Sequence, residues 1–225
     1  MNTEVIISIH APKAGGTTML AAWQQAYGKG HVLLDYADPP ADPSADFVLD
    51  PVGWAERRPT GLPPNIKVVH GHFKPQKYDL FGNAFRCTML RHPVDNLISI
   101  YLYWRKLPLQ PYANALHGYF LRNQLSIIEL ARLPIMQNLY SQTYFGGWDM
   151  RRLNFVGAHE NRTDDLRRLS NMIGVTIDLS LHLNTTEPAG DNLEKQAILS
   201  DQPLLRRLRD LLTEDIDFYE GSLGR

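Results

Sequence analysis

The sequence predicts an α/β fold in which a central, mostly parallel sheet is flanked by helices. Three observations lead there. Short β-branched runs alternate with stretches of helical periodicity, a glycine-rich loop separates the first run from the first helix, and a later run ends directly in a proline-started helix. Strands joined through helices run parallel, and a parallel sheet needs cover on both faces.

In chain order, Val5 to Ile9 reads as the first strand, His10 to Gly16 as a loop, and Thr17 to Tyr27 as a helix with apolar residues at helical spacing. Seven of the fifteen prolines lie between Asp38 and Asn65, which predicts a long surface excursion without regular structure. A second strand is expected over Ile66 to His72 and a third over Ala84 to Leu90. His92, Pro93 and a helical pattern from Val94 to Trp104 follow, with Pro93 in a first-turn position. Tyr112 to Phe145 reads as two or three helices, Leu153 to Ala158 as a strand, and Thr163 to Ile173 as a helix burying Leu166, Leu169 and Ile173. After an irregular stretch from Leu181 to Gly190, two helices are expected. The last is capped by Asp201 and turns Leu204, Leu208, Leu211 and Leu212 inward. No internal repeat or low-complexity tract interrupts the pattern, so residues 1–225 read as one domain.

Charge narrows the partners. The 23 basic and 24 acidic residues nearly cancel, so no whole-molecule field draws nucleic acid or an anionic membrane, and any anion site is local. The single cysteine, Cys87, has no partner for an internal disulfide and sits in an apolar run, as a buried thiol does. No run of about 18 apolar residues spans a membrane, and no basic segment precedes Val5 to Ile9; the expectation is a soluble, cytoplasmic protein. Nothing in the sequence sets the oligomeric state.

The strongest chemical signal is His10-Ala11-Pro12-Lys13-Ala14-Gly15-Gly16-Thr17-Thr18 between a strand and a helix. Glycines let backbone N–H groups approach an anion, and the helix N-terminus adds favourable partial charge. The lysine precedes the glycine pair, unlike GxxxxGK[ST], and GxGxxG is absent. A second signal is Arg91-His92-Pro93-Val94-Asp95-Asn96-Leu97-Ile98-Ser99, where an arginine leaves a strand tip and a serine lies eight residues on, on the helix face of His92 and Asp95. The third is Val69-His70-Gly71-His72-Phe73, two histidines on one side of a strand. One cysteine and the lack of a well-spaced third ligand argue against zinc there.

The Pro12 to Thr18 run resembles the 5'-phosphosulfate loop of sulfotransferases in its carbohydrate-modifying form, Pro-Lys-x-Gly-Gly-Thr-[ST]. Arg91 with Ser99 resembles the same family's 3'-phosphate motif, and His70-Gly71-His72 resembles the His-Gly-His of the heparan uronyl 2-O-sulfotransferase group. Weaker similarity continues at Asn154 to Arg162 and at His182 to Thr185.

The resemblance implies a P-loop-like three-layer fold and 3'-phosphoadenosine 5'-phosphosulfate (PAPS) as donor, with adenosine 3',5'-bisphosphate (PAP) as product and no metal. It implies that Lys13 stabilises the leaving oxygen and that Ala14, Gly15, Gly16, Thr17 and Thr18 hold the 5'-phosphate. Arg91 and Ser99 would hold the 3'-phosphate and His72 would be the base. His70 is left with two roles, positioning the acceptor or supporting His72. The acceptor is a hydroxyl of a carbohydrate or another small alcohol. Two alternatives stay open: a Mg-dependent nucleotide or sugar kinase, which shares the strand, phosphate loop and helix, and a non-catalytic adenosine-phosphate-binding module. The pairs Arg151-Arg152, Arg167-Arg168 and Arg206-Arg207 read as solvated faces. Tyr101, Tyr103 and Trp104 read as core, with one ring open to line the pocket.

Overall fold

The computed structural model describes residues 5–109, 114–178 and 189–224. Its centre is a five-stranded, all-parallel sheet in the order β2-β3-β1-β4-β5. The strands are β1 (Ile6–His10), β2 (Val32–Asp35), β3 (Val68–Gly71), β4 (Phe85–Leu90) and β5 (Phe155–Ala158). Because every pairing is parallel, all five carboxyl ends lie along one edge. The chain leaves β1 for β2 and returns to β3, then crosses to β4 on the other side of β1. The switch point therefore lies between β1 and β4, where such sheets bind ligands.

Alternation along β1 assigns the two faces. Ile7 and Ile9 join a core with Val69, Leu90, Leu97, Leu130, Tyr140 and Leu208, under α4 (Pro93–Lys106), α6 (Ile127–Ala131) and α10 (Gln202–Leu211). Ile6 turns the other way, with Trp23, Cys87, Phe155 and Leu166, under α1 (Gly16–Tyr27) and α8 (Arg162–Ile173). Cys87 is fully buried, which pushes its thiol up to about 12. The remaining helices are α2 (Asp46–Leu49), α3 (Pro51–Glu56), α5 (Ala115–Asn123), α7 (Pro134–Gln137), α9 (Ala189–Ser200) and α11 (Thr213–Ser222). No helix among the described residues is long and apolar enough to cross a membrane.

Several expectations need correction. The sequence reading passed over β2, whose four residues, Val32-Leu33-Leu34-Asp35, are too few to show a period; pairing with β3 makes the strand. The proline-rich excursion holds two short helices: Pro51 starts α3, and the Asp50 side chain caps it by accepting from Gly53 N. Leu139–Tyr144 is a π-helix following α5, α6 and α7; Tyr112 lies outside the described residues, as do residues 181–188 and the His182 to Thr185 similarity. Asp201 caps α10 by accepting from Leu204 N, but α10 is followed by α11, so three helices rather than two end the fold.

Candidate active site

The loop carrying Lys13 leaves β1 at the switch point. Lys13 (φ 59°) and Gly15 (φ 93°) both take the left-handed conformation. Glycine adopts it freely, whereas lysine carries strain on the order of 1 kcal/mol. The first intrahelical bond of α1 runs from Met19 N–H to Gly15 C=O at 3.1 Å, so the amides of Gly16 and Thr18 lie ahead of it at the positive end of the helix. Two contacts hold the loop in place. Asn96, only 1 % exposed on α4, donates to Pro12 C=O at 2.8 Å, and the Arg91 guanidinium reaches Lys13 C=O at 3.4 Å.

Arg91 leaves the tip of β4, and its turn is fixed from behind. The Tyr140 hydroxyl accepts from Arg91 N–H at 3.3 Å and donates to its carbonyl at 3.0 Å. Glu160 accepts from His92 N–H at 2.8 Å and from the Tyr219 hydroxyl at 2.9 Å, and these donors hold its carboxyl below the usual range against the pull of burial. Asp215, 1 % exposed, accepts from the amides of Tyr140 and Ser141 at 2.8 Å each.

Asp95, Ser99 and Tyr103 follow at helical spacing on one face of α4, and the Lys13 ammonium rests 4.0 Å from the Tyr103 ring centre. Tyr103 is thus 45 % exposed rather than core, while Tyr101 and Trp104 pack against Phe120. His159, just past β5, is so close to the loop that a Cβ on Gly15 would sit 3.3 Å from its ring. Burial and the charges of Arg91 and Arg162 lower His159 to about 4. Lys13 and Arg91 therefore lie together, with Tyr103 against the lysine, Ser99 one turn earlier on the same face of α4, and His159 beside Gly15.

On the other flank of β1, register places Ser8 beside His70 and carries His10 to the end of β1, next to His72. Their side chains emerge on the α1 face. Trp23 Nε1–H donates to Ser8 Oγ at 3.0 Å, and Ser8 Oγ lies 2.9 Å from His70 Nδ1. His70 is 1 % exposed and burial lowers it to about 3. His72 is less enclosed. Its Nδ1 lies 2.5 Å from His10 C=O, which can only accept, so the proton sits on Nδ1 and Nε2 keeps its lone pair. The Tyr144 hydroxyl is 3.2 Å from the same nitrogen, and burial lowers His72 from its ordinary value.

The sequence reading overlooked His10 as a site residue. Its ring stacks on His72 at 4.4 Å and on His70 at 5.3 Å, and a Cβ on Gly16 would fall within 1.8 Å of it. Gly16 is thus required by His10 as much as by any anion. Only the parallel register of β1 and β3 reveals the stack. Tyr36, just past β2, meets His72 edge-on with ring centres 4.9 Å apart, and Tyr144 arrives from 72 residues away; neither lies near a motif. Burial also keeps His10 well below its ordinary value, so the stacked rings are neutral near pH 7. Among the described residues no group of three or more His, Cys, Asp or Glu is arranged to hold a metal.

Comparison with protein-family models and with curated proteins gives no match. Among solved structures, a sulfotransferase from Alicyclobacillus acidocaldarius aligns over 96 % of this chain and 98 % of its own, with 16 % identity and a TM-score of 0.40.

Proposed function

We propose that this protein is a sulfotransferase that moves the sulfuryl group of PAPS to a hydroxyl of a carbohydrate or other small alcohol. The observation that carries the reading is the junction at β1. An anion-ready loop with its lysine, a strand-tip arginine tied to that loop, and a histidine with one free imidazole nitrogen meet along a single strand end.

The loop fits a 5'-phosphate: it runs directly into the amino end of α1, and Gly15 takes the left-handed turn that leads there. Arg91 and Ser99 fit the 3'-phosphate, since the guanidinium is tied to the loop and the hydroxyl lies on the face of α4 whose Tyr103 meets Lys13. The donor supplies an activated sulfuryl group whose transfer, like that of phosphoryl, needs alignment and charge stabilisation more than covalent help.

His72 Nε2 takes the acceptor hydroxyl's proton. Its tautomer is set by His10 C=O, and its lowered pKa keeps it unprotonated at neutral pH. Lys13 leaves the Tyr103 face to neutralise the oxygen on which the donor's phosphate departs. His70, enclosed behind His10 and bonded to Ser8, supports the stack rather than meeting the acceptor.

Calorimetric titration with PAP and with ATP, each with and without Mg²⁺, tests the donor site. Metal-independent binding of PAP with weak binding of ATP is expected. A Mg-dependent preference for ATP would replace this reading with a kinase, and PAP binding without transfer to any hydroxyl acceptor would leave a binding module.

A further inference from the structure

The carboxyl edge of the sheet has a second half that the donor does not need. The phosphate loop and Arg91 occupy the ends of β1 and β4, while His72 stands at the end of β3 with its ring against Tyr36, which follows β2. An acceptor approaching His72 from the side away from the donor must lie over the end of β2. A cavity of about 330 Å³ is found there, bounded by Ala37 and Asp38 just past Tyr36, by Lys77, and by Trp54 and Arg58.

The lining has a mixed chemistry. Lys77 is committed to Asp35 at 2.7 Å, and Arg57 to Asp46 and Asp50 at 3.2 and 3.1 Å. Arg58 bonds only backbone carbonyls, Ala55 at 3.0 Å and Gln76 at 3.3 Å, so its charge meets no carboxylate among the described residues. Asp38 buries Oδ1 without a donor. Trp54 is half-buried, with Phe47 edge-on at 6.1 Å. An indole, a carboxylate lacking a donor and a guanidinium lacking a counter-charge suit a ligand with apolar C–H faces and hydroxyls that both donate and accept.

We infer that this cavity is the acceptor site and that it takes a pyranose sugar, stacked on Trp54, donating a hydroxyl to Asp38 and accepting from Arg58. Tyr36, whose ring meets His72, is followed directly by the cavity-lining Ala37 and Asp38, so the sugar bound there presents a neighbouring hydroxyl, or that of the next residue of an oligosaccharide, to Nε2. This inference rests on the sulfotransferase reading, and its test separates the two.

Saturation-transfer NMR in the presence of PAP would use p-nitrophenyl β-glucoside, β-galactoside, N-acetyl-β-glucosaminide and β-glucuronide, with hexanol as the non-sugar alcohol. At least one glycoside is expected to bind the wild type in preference to hexanol. Its Kd should rise tenfold or more in Trp54→Ala and several-fold in Asp38→Asn and Arg58→Ala, while PAP affinity stays within twofold in all three. Retained PAP affinity also verifies that the variants fold. Glycoside binding unchanged by all three substitutions, preference for hexanol, or no glycoside binding to a wild type that binds PAP would overturn the acceptor site alone. Failure of the wild type to bind PAP would overturn the donor reading and this cavity's role with it.

Discussion

Over β1 and β4 the crevice is made of backbone held by short-range motifs, whereas over β3 and β2 it is made of side chains delivered from distant segments. The loop from Pro12 to Thr18 and the turn at Arg91 each need only a few consecutive residues, and Asn96 and Arg91 join them through carbonyls. The other half depends on register: His10 meets His72 because β1 and β3 are parallel, Tyr144 arrives from a π-helix, and Tyr36 from a strand of four residues. A group recognised by its charge can be held by a short run of neighbouring residues. A hydroxyl to be selected among many needs a surface assembled from several segments.

Breaking the chemistry at the junction has the largest expected effect. His72→Ala or Lys13→Ala should lower turnover by roughly two to four orders of magnitude with the melting temperature little changed; turnover equal to wild type in either variant would remove that residue from the mechanism. Arg91→Ala should weaken PAP binding by roughly 1.5–3 kcal/mol in calorimetry, the size of a charge-assisted bond, and an unchanged Kd would place the 3'-phosphate elsewhere. Gly71→Ala probes the sheet between the halves. Its Cβ would meet Asp35 O at 1.8 Å, a backbone atom that cannot turn aside, so stability should fall by about 1–3 kcal/mol in denaturant unfolding.

The histidine stack sets a pH signature smaller at any one step. His10 and His70 are buried neutral with folded pKa values depressed, His70 to about 3, while the unfolded chain protonates near 6.5. Stability is therefore full above pH 6.5 and declines below it, as the unfolded state gains protons that the folded state refuses, by up to ~1.4 kcal/mol per pH unit per histidine. Unfolding free energies at pH 7.5, 6 and 5 should show the decline, and a flat profile would mean that the stack opens on protonation at no cost. Activity should follow a separate acid limb, lost as pH falls through the depressed pKa of His72. The smallest effect belongs to the arginine pairs. Arg167 bridges Asp164 at 2.5 Å on the surface of α8, and Arg167→Ala should leave the melting temperature unmoved.

What could be read without the structure divides along the same line. Sheet type, the glycine loop between β1 and α1, and the Arg91 turn were legible because each is encoded in neighbours: β-branched runs, a glycine pair, a proline after a strand. The strand β2 was not, since four residues cannot show a period, nor was the role of Gly16, which depends on a ring from the far side of the loop. Tyr101, Tyr103 and Trp104 read together as core with one ring left open to line the pocket, and helical geometry makes Tyr103 the ring that turns outward, where Lys13 rests on it. Glu160 lay in a segment of weak similarity, and its use, holding His92 and Tyr219 together, required folding to bring α11 beside the Arg91 turn.

That clasp also bears on the order in which the molecule matures. Asp215 and Tyr219, both on α11, hold Tyr140 and Glu160, which in turn fix the turn at Arg91. A nascent chain that has already displayed the Lys13 loop and the Arg91 turn still has an unbraced arginine, and the brace is complete only once α11 has left the ribosome and docked. A ribosome stalled before Asp215 would therefore display a chain with every motif in place and the Arg91 turn still unbraced.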